Sequence, residues 1–116
     1  MNKFEKMYDR LPDNIKNSDL LSLQSKKTLA ALLELLLHSK ANSTGVIYTT
    51  NKMLRRLAGI NSNNLLDALN ELKDYDLITR KVGAGYGNAS EYTINVSILK
   101  KPLVKKGFDE LFNKFM

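Results

Sequence analysis

Between residues 50 and 98, two short amphipathic helical patterns meet at Gly59 and run directly into two strand patterns separated by a glycine-rich loop. That succession constrains the fold more than any other feature of the chain. A glycine at the junction permits the left-handed backbone by which a chain leaves one helix and enters the next at a steep angle. Thr50 is placed to cap the first helix, with Met53, Leu54 and Leu57 facing inward and Lys52, Arg55 and Arg56 outward. Ile60 can plug the corner, and Ser62 is placed to cap the second helix. There Leu65, Leu66, Leu69 and Leu72 recur at helical spacing as the packed stripe, which turns Asn63, Asn64, Asp67, Asn70 and Lys73 outward. After Asp76 the period becomes two. Leu77, Thr79 and Lys81 alternate with Ile78, Arg80 and Val82, and Tyr92, Ile94 and Val96 alternate again, which predicts two strands. Gly83, Gly85 and Gly87 between them form a loop suited to reach beyond the body.

A corner and a hairpin need a core to rest on. Leu29, Leu32, Leu33 and Leu36 make one stripe, and Ala30, Ala31, Leu35 and Leu37 widen it, so this helix belongs at the centre, with Ser25 as its expected N-cap. Residues 42–45 read as a loop and Val46–Thr49 as a short strand. Phe4, Met7, Tyr8 and Leu11 share one face of a short helix that Pro12 ends or bends, and residues 13–23 lose periodicity, as a connector does. Beyond Pro102, Val104, Phe108, Leu111, Phe112 and Phe115 line one face of a last helix. The expectation is an α+β, mainly α domain over residues 24–99, preceded by a helix and connector over 1–23 and followed by an amphipathic helix over 100–116. A chain of 116 residues with 43% hydrophobic content suits one modest core.

Residue usage narrows the chemistry. The chain has no cysteine and a single histidine, His38, so neither a disulfide framework nor a thiolate or histidine metal site is expected. His38, near the end of the central helix, is expected to satisfy carbonyls there. No Ser/His/Asp set or carboxylate pair accompanies a cofactor motif, and the glycine-rich loop precedes a strand rather than the helix a phosphate cradle requires. A non-enzymatic protein without a cofactor is expected. The run over residues 29–37 is broken by Glu34 and is shorter than the roughly 20 residues of a membrane span, and no signal-peptide pattern opens the chain. A cytoplasmic location without a membrane partner follows as the expectation. Lys and Arg number 18 against 12 Asp and Glu, a net charge of +6, which suits a polyanionic partner and equally serves solubility.

Residues 50–82 and 91–95 resemble winged helix-turn-helix domains of bacterial regulators and of phage or plasmid replication and partition proteins. Leu54, Leu57, Ala58, Gly59 and Ile60 carry the likeness, then Ser62, Leu66, Ala68, Leu69, Leu72, Leu77, Ile78, Arg80 and Tyr92. The resemblance implies a three-helix core with a hairpin wing, the helix from Ser62 lying in the major groove of double-stranded DNA and the wing touching an adjacent groove or phosphate. Ser62, Asn63, Asn64, Asp67, Asn70 and Lys73 are then the candidate base-facing residues, since asparagine pairs in bidentate fashion with adenine. Thr50, Lys52, Arg55, Arg56, Arg80, Lys81 and the loop-tip Tyr86 are candidates for phosphate and wing contacts.

Asp67 and Glu71 depart from the pattern of relatives that carry basic residues along this helix. Asp67 either accepts from a cytosine amino group or pairs with a neighbouring cation, or the helix docks a protein instead. Asn61, Asn63 and Asn64 serve equally as capping and solvated residues. Phe4, Tyr8, Val104, Phe108, Leu111, Phe112 and Phe115 offer more apolar surface than a small core hides, which favours a homodimer with two recognition helices on half-sites. A transcriptional regulator that binds double-stranded DNA with sequence preference is the leading expectation, with a replication-initiation or partition factor as the alternative and a protein-docking module as the second alternative.

Overall fold

A computed structural model of the chain describes residues 3–38, 45–83 and 89–95, the side chains of 3–5 lying outside the description. Expectations placed on Phe4, Tyr86, Val104, Phe108, Leu111, Phe112 and Phe115 therefore fall outside the described residues.

The central helix, α3 (Leu23–Leu37), begins at Ser22, whose side chain accepts from the Ser25 amide. Ser25, expected as the cap, sits one turn inside, fully buried, and donates its hydroxyl to the Ala68 carbonyl at 3.4 Å. The N-terminal helix α1 (Lys3–Asp9) contributes Met7 to the core, and the bend that follows it contributes Leu11. The stretch expected to be a connector holds a one-turn helix, α2 (Asp13–Lys16), started by the fixed φ of Pro12 and anchored by fully buried Ile15. One isoleucine is too sparse a signal for periodicity to register. Leu37 is exposed because the apolar stripe of α3 covers only part of its last turn. Glu34, almost fully buried on the same helix, is paired with Arg10, and His38 Nε2 lies 3.1 Å from its other oxygen. His38 thus serves a carboxylate rather than the carbonyls expected of it.

After β1 (Val46–Thr49), Thr50 caps α4 (Asn51–Ala58) by accepting from the Met53 amide at 3.1 Å. Gly59 ends the helix at φ 68 and ψ 39, and the amides of Gly59 and Ile60 both donate to the Arg55 carbonyl. The next helix, α5 (Ser62–Asp74), is capped by Asn61, one residue before the expected Ser62. It ends in a double closure: Asp76 N–H bonds the Lys73 carbonyl and Leu77 N–H the Leu72 carbonyl, with Leu72 and Leu77 both fully buried. This is the Schellman arrangement with its apolar seal.

Strands β2 (Ile78–Lys81) and β3 (Ser90–Ile94) form the hairpin, and β1 adds to its far edge, giving the antiparallel order β1-β3-β2. Ile47, Tyr92, Ile78 and Ile94 point inward and join Leu29, Leu32, Leu54, Leu65, Leu69 and Leu72 in one cluster, together with Met7, Leu11 and Ile15. Two leucine-type positions expected to pack do not: Met53 and Leu66 are 43% and 46% exposed.

The corner has a direct test. Nothing lies within 4 Å of a Cβ added at Gly59, so Gly59→Ala introduces backbone strain alone. It should lower the unfolding free energy by about 1 kcal/mol in urea titrations, the usual cost of a left-handed non-glycine residue.

Candidate nucleic-acid interface

One side of α5 is core: Leu65, Ala68, Leu69 and Leu72 are buried. The opposite side presents Ser62, Asn63, Leu66, Asp67, Asn70, Lys73 and Asp74, all exposed. Asn64 is half-buried, and its amide is the one that Asn61 Oδ1 accepts at 2.8 Å. The helix therefore exposes an amide-rich face, as direct readout of bases requires.

The acidic residues on α5 are not equivalent. Glu71 Oε1 accepts from the Ser22 amide at 2.7 Å, so this carboxylate lies at the start of α3 rather than on the exposed amide face. Burial pushes its carboxyl up, but the Ser22 amide and the Ser25 and Ser22 hydroxyls outweigh it and hold the group below its ordinary value. A negative charge at a helix N-terminus is favourable in its own right. Of the two carboxylates that departed from the family pattern, Glu71 is a structural clamp, and Asp67 stays in solvent.

On α4, Lys52 and Arg56 are exposed, while Arg55 is half-buried with its Nε enclosed and lacking a hydrogen-bond partner. Thr50 spends its side chain on the cap. In the wing, Arg80 and Lys81 fall on opposite faces. Arg80 stands opposite Tyr92 on the inner face, donates Nε to the Tyr92 hydroxyl at 3.1 Å and Nη2 to Asn51 Oδ1 at 3.1 Å, and has its Cζ 5.7 Å from the Tyr92 ring centre. Both acceptors are neutral, so the guanidinium is fixed in place without an opposing carboxylate from them. Lys81 is exposed on the outer face opposite Glu91, which also accepts from the Tyr48 hydroxyl at 2.8 Å. That acceptor and its charge hold the Tyr48 phenol above its ordinary value.

The structure thus brings the exposed face of α5 and the basic side chains of α4 and β2 onto one helix-corner-hairpin frame. Sequence reasoning offered Asn61 among its capping candidates but missed Asn51 as the anchor of Arg80, Glu71 as a clamp, and Leu66 as an exposed residue. For Leu66 the signal was present. It lies three and four residues from Asn63 and Asn70, which places it on their side of the helix.

A family model described as CDC6, C-terminal winged helix domain, matches residues 16–100. The chain belongs to that family. The match takes in α3 through the hairpin, so α3, α4 and α5 form the trihelical body of the winged helix domain and β2–β3 its wing. A solved chain titled "Structure of Rep-DNA complex" is similar to this winged helix domain with a TM-score of 0.58 at 17% identity, covering 98% of this chain and 93% of that one. At such identity the likeness is one of fold. No curated protein matches the chain. Among the described residues no helix is long and apolar enough to cross a membrane, and no group of three or more His, Cys, Asp or Glu could hold a metal ion.

The clamp gives a pH-dependent prediction. A carboxyl held below its unfolded value stabilises the fold fully above that value and loses the contribution as pH falls through its folded one. Glu71→Gln should therefore cost about 1 kcal/mol at pH 7, the scale of one charge-assisted bond at a partly exposed site. The gap from wild type should close as pH drops through and below the ordinary glutamate value of 4.5, read by thermal unfolding across that range.

Proposed function

We propose that this winged helix domain is a non-enzymatic, sequence-preferring binder of double-stranded DNA that acts in replication. The carrying observation is the exposed face of α5: Asn63, Leu66, Asp67, Asn70 and Lys73 project from a helix whose other side is committed to the core. Asn63 and Asn70 supply the amides that pair with adenine edges in the major groove. Lys52 and Arg56 on α4 and Lys81 on the wing supply charge for phosphates, which sets register and orientation without reading sequence. Arg80, fixed by Asn51 and Tyr92, presents a rigid cation at the root of the wing.

Membership of the CDC6 winged helix family, and a fold shared with a chain from a Rep–DNA complex, favour a replication role over the transcriptional regulator. Two copies on repeated half-sites fit this role, and the stoichiometry of the complex by light scattering tests the pairing. A second reading, docking of a protein partner through α5, is favoured by one observation: Asp67 and Asp74 add two exposed carboxylates to the helix.

Duplex binding measured across a salt series separates the two readings. DNA binding predicts affinity that falls with salt, and Lys81→Ala and Arg56→Ala each flatten the log–log slope by about 1 while weakening all duplexes alike. Asn63→Ala and Asn70→Ala should narrow the gap between selected and random duplexes, about tenfold per lost bidentate pair. Binding that no duplex supports at low salt would leave docking as the function.

A further inference from the structure

Leu66 is the one apolar side chain on the outward face of α5, and it is 46% exposed although Leu65 and Leu69 beside it are sealed in the core. A lone surface leucine is ordinary. The neighbours of this one are not. At about 100° per residue, Leu66 shares a strip with Ser62, Asn63, Asn70 and Lys73. Asp67 and Asp74 lie further round the helix, beyond Asn63, and Glu71 further still, against Ser22. The strip reads amide, leucine, amide along its length.

The chemistry of that strip matches one kind of base pair. An asparagine amide fits the N7 and N6 of adenine, and the thymine partner displays its C5 methyl in the same groove, where only an apolar side chain gains from touching it. Guanine is read by arginine or lysine, and between Asn63 and Asn70 α5 has neither, Lys73 lying one turn beyond that span. The dimensions agree as well. Asn63 and Asn70 are about 10.5 Å apart along the axis at a helical rise of 1.5 Å per residue. That span equals about three steps of duplex at 3.4 Å each, and Leu66 stands between them.

We infer that Leu66 reads a thymine methyl group, flanked by Asn63 and Asn70 on adenines, so that α5 specifies an A·T-rich core three to four base pairs long. The inference rests on the reading that α5 enters the major groove of DNA. Leu66 is then a specificity-determining residue, and its exposure in the free protein is the unfilled half of that contact.

Replacing single thymines by deoxyuracil tests it, because this removes the methyl and leaves base pairing intact. Duplexes selected from a random pool by the full chain should hold a central A·T tract. One thymine-to-deoxyuracil change should weaken wild-type binding about fourfold, the value of one buried methyl-sized group. Leu66→Ala should bind the thymine duplex as wild type binds the deoxyuracil one and show no further loss on methyl removal. Its unfolding midpoint and salt slope should match those of wild type. A methyl penalty that persists undiminished in Leu66→Ala, the lack of any penalty in wild type, or selected sites without a central A·T tract would each overturn this inference while leaving DNA binding intact. Failure of wild type to bind any duplex would instead overturn the reading on which it rests.

Discussion

The burial of α3 against α4 and α5 is the constraint on which the other elements depend. Leu29, Ala30, Ala31 and Leu32 are almost wholly withdrawn from solvent, as are Leu54, Ala58, Leu65, Leu69 and Leu72 from the two helices of the corner. Alanines in the middle of α3 allow close approach, and the leucines on either side fill the space that remains. The sheet closes the same cluster from another side through Ile47, Ile78, Tyr92 and Ile94. With one face of α5 consumed in this way, its opposite face stays in solvent and is available for another molecule.

Polar contacts trim that arrangement rather than drive it. Ser22 and Glu71 join the start of α3 to the last turn of α5, and the Ser25 hydroxyl reaches the Ala68 carbonyl inside the same seam. Arg10 gives the nearly buried Glu34 carboxylate a partner in place of water, and Ser22 does the same for the less buried Glu71. These clamps also change the electrostatics of the exposed surface. A helix with Asp67, Glu71 and Asp74 looks poorly suited to a phosphate-rich partner, but one of those three charges is spent within the fold.

Elements with strong periodicity were legible in the residues: α3 from its leucine stripe, α4 from Thr50 to Gly59, α5 from its four-residue spacing, and the hairpin from the switch to period two. Chain direction at Gly59 followed from the same pattern. What was not legible depended on choices between near-equivalent residues. Ser22 and Ser25 are both able to cap α3, as are Asn61 and Ser62 for α5, and only the direction of the incoming chain selects one. Met53 and Leu66 are apolar at positions where a helix has already turned away from its core, and hydrophobicity alone assigns them to the wrong side. The partners of Arg80 are 12 and 29 residues distant in sequence, beyond any local signal.

Arg80 has a mechanical effect that extends past its charge. Through Tyr92 it is bound to the second strand of the hairpin, and through Asn51 to the first turn of α4, so the wing and the start of that helix are joined by a single planar side chain. Two surfaces held by such a crosspiece approach a ligand as one rigid jaw. Little ordering entropy is then left to lose when both close on their target, and the jaw discriminates by shape before any individual contact is made.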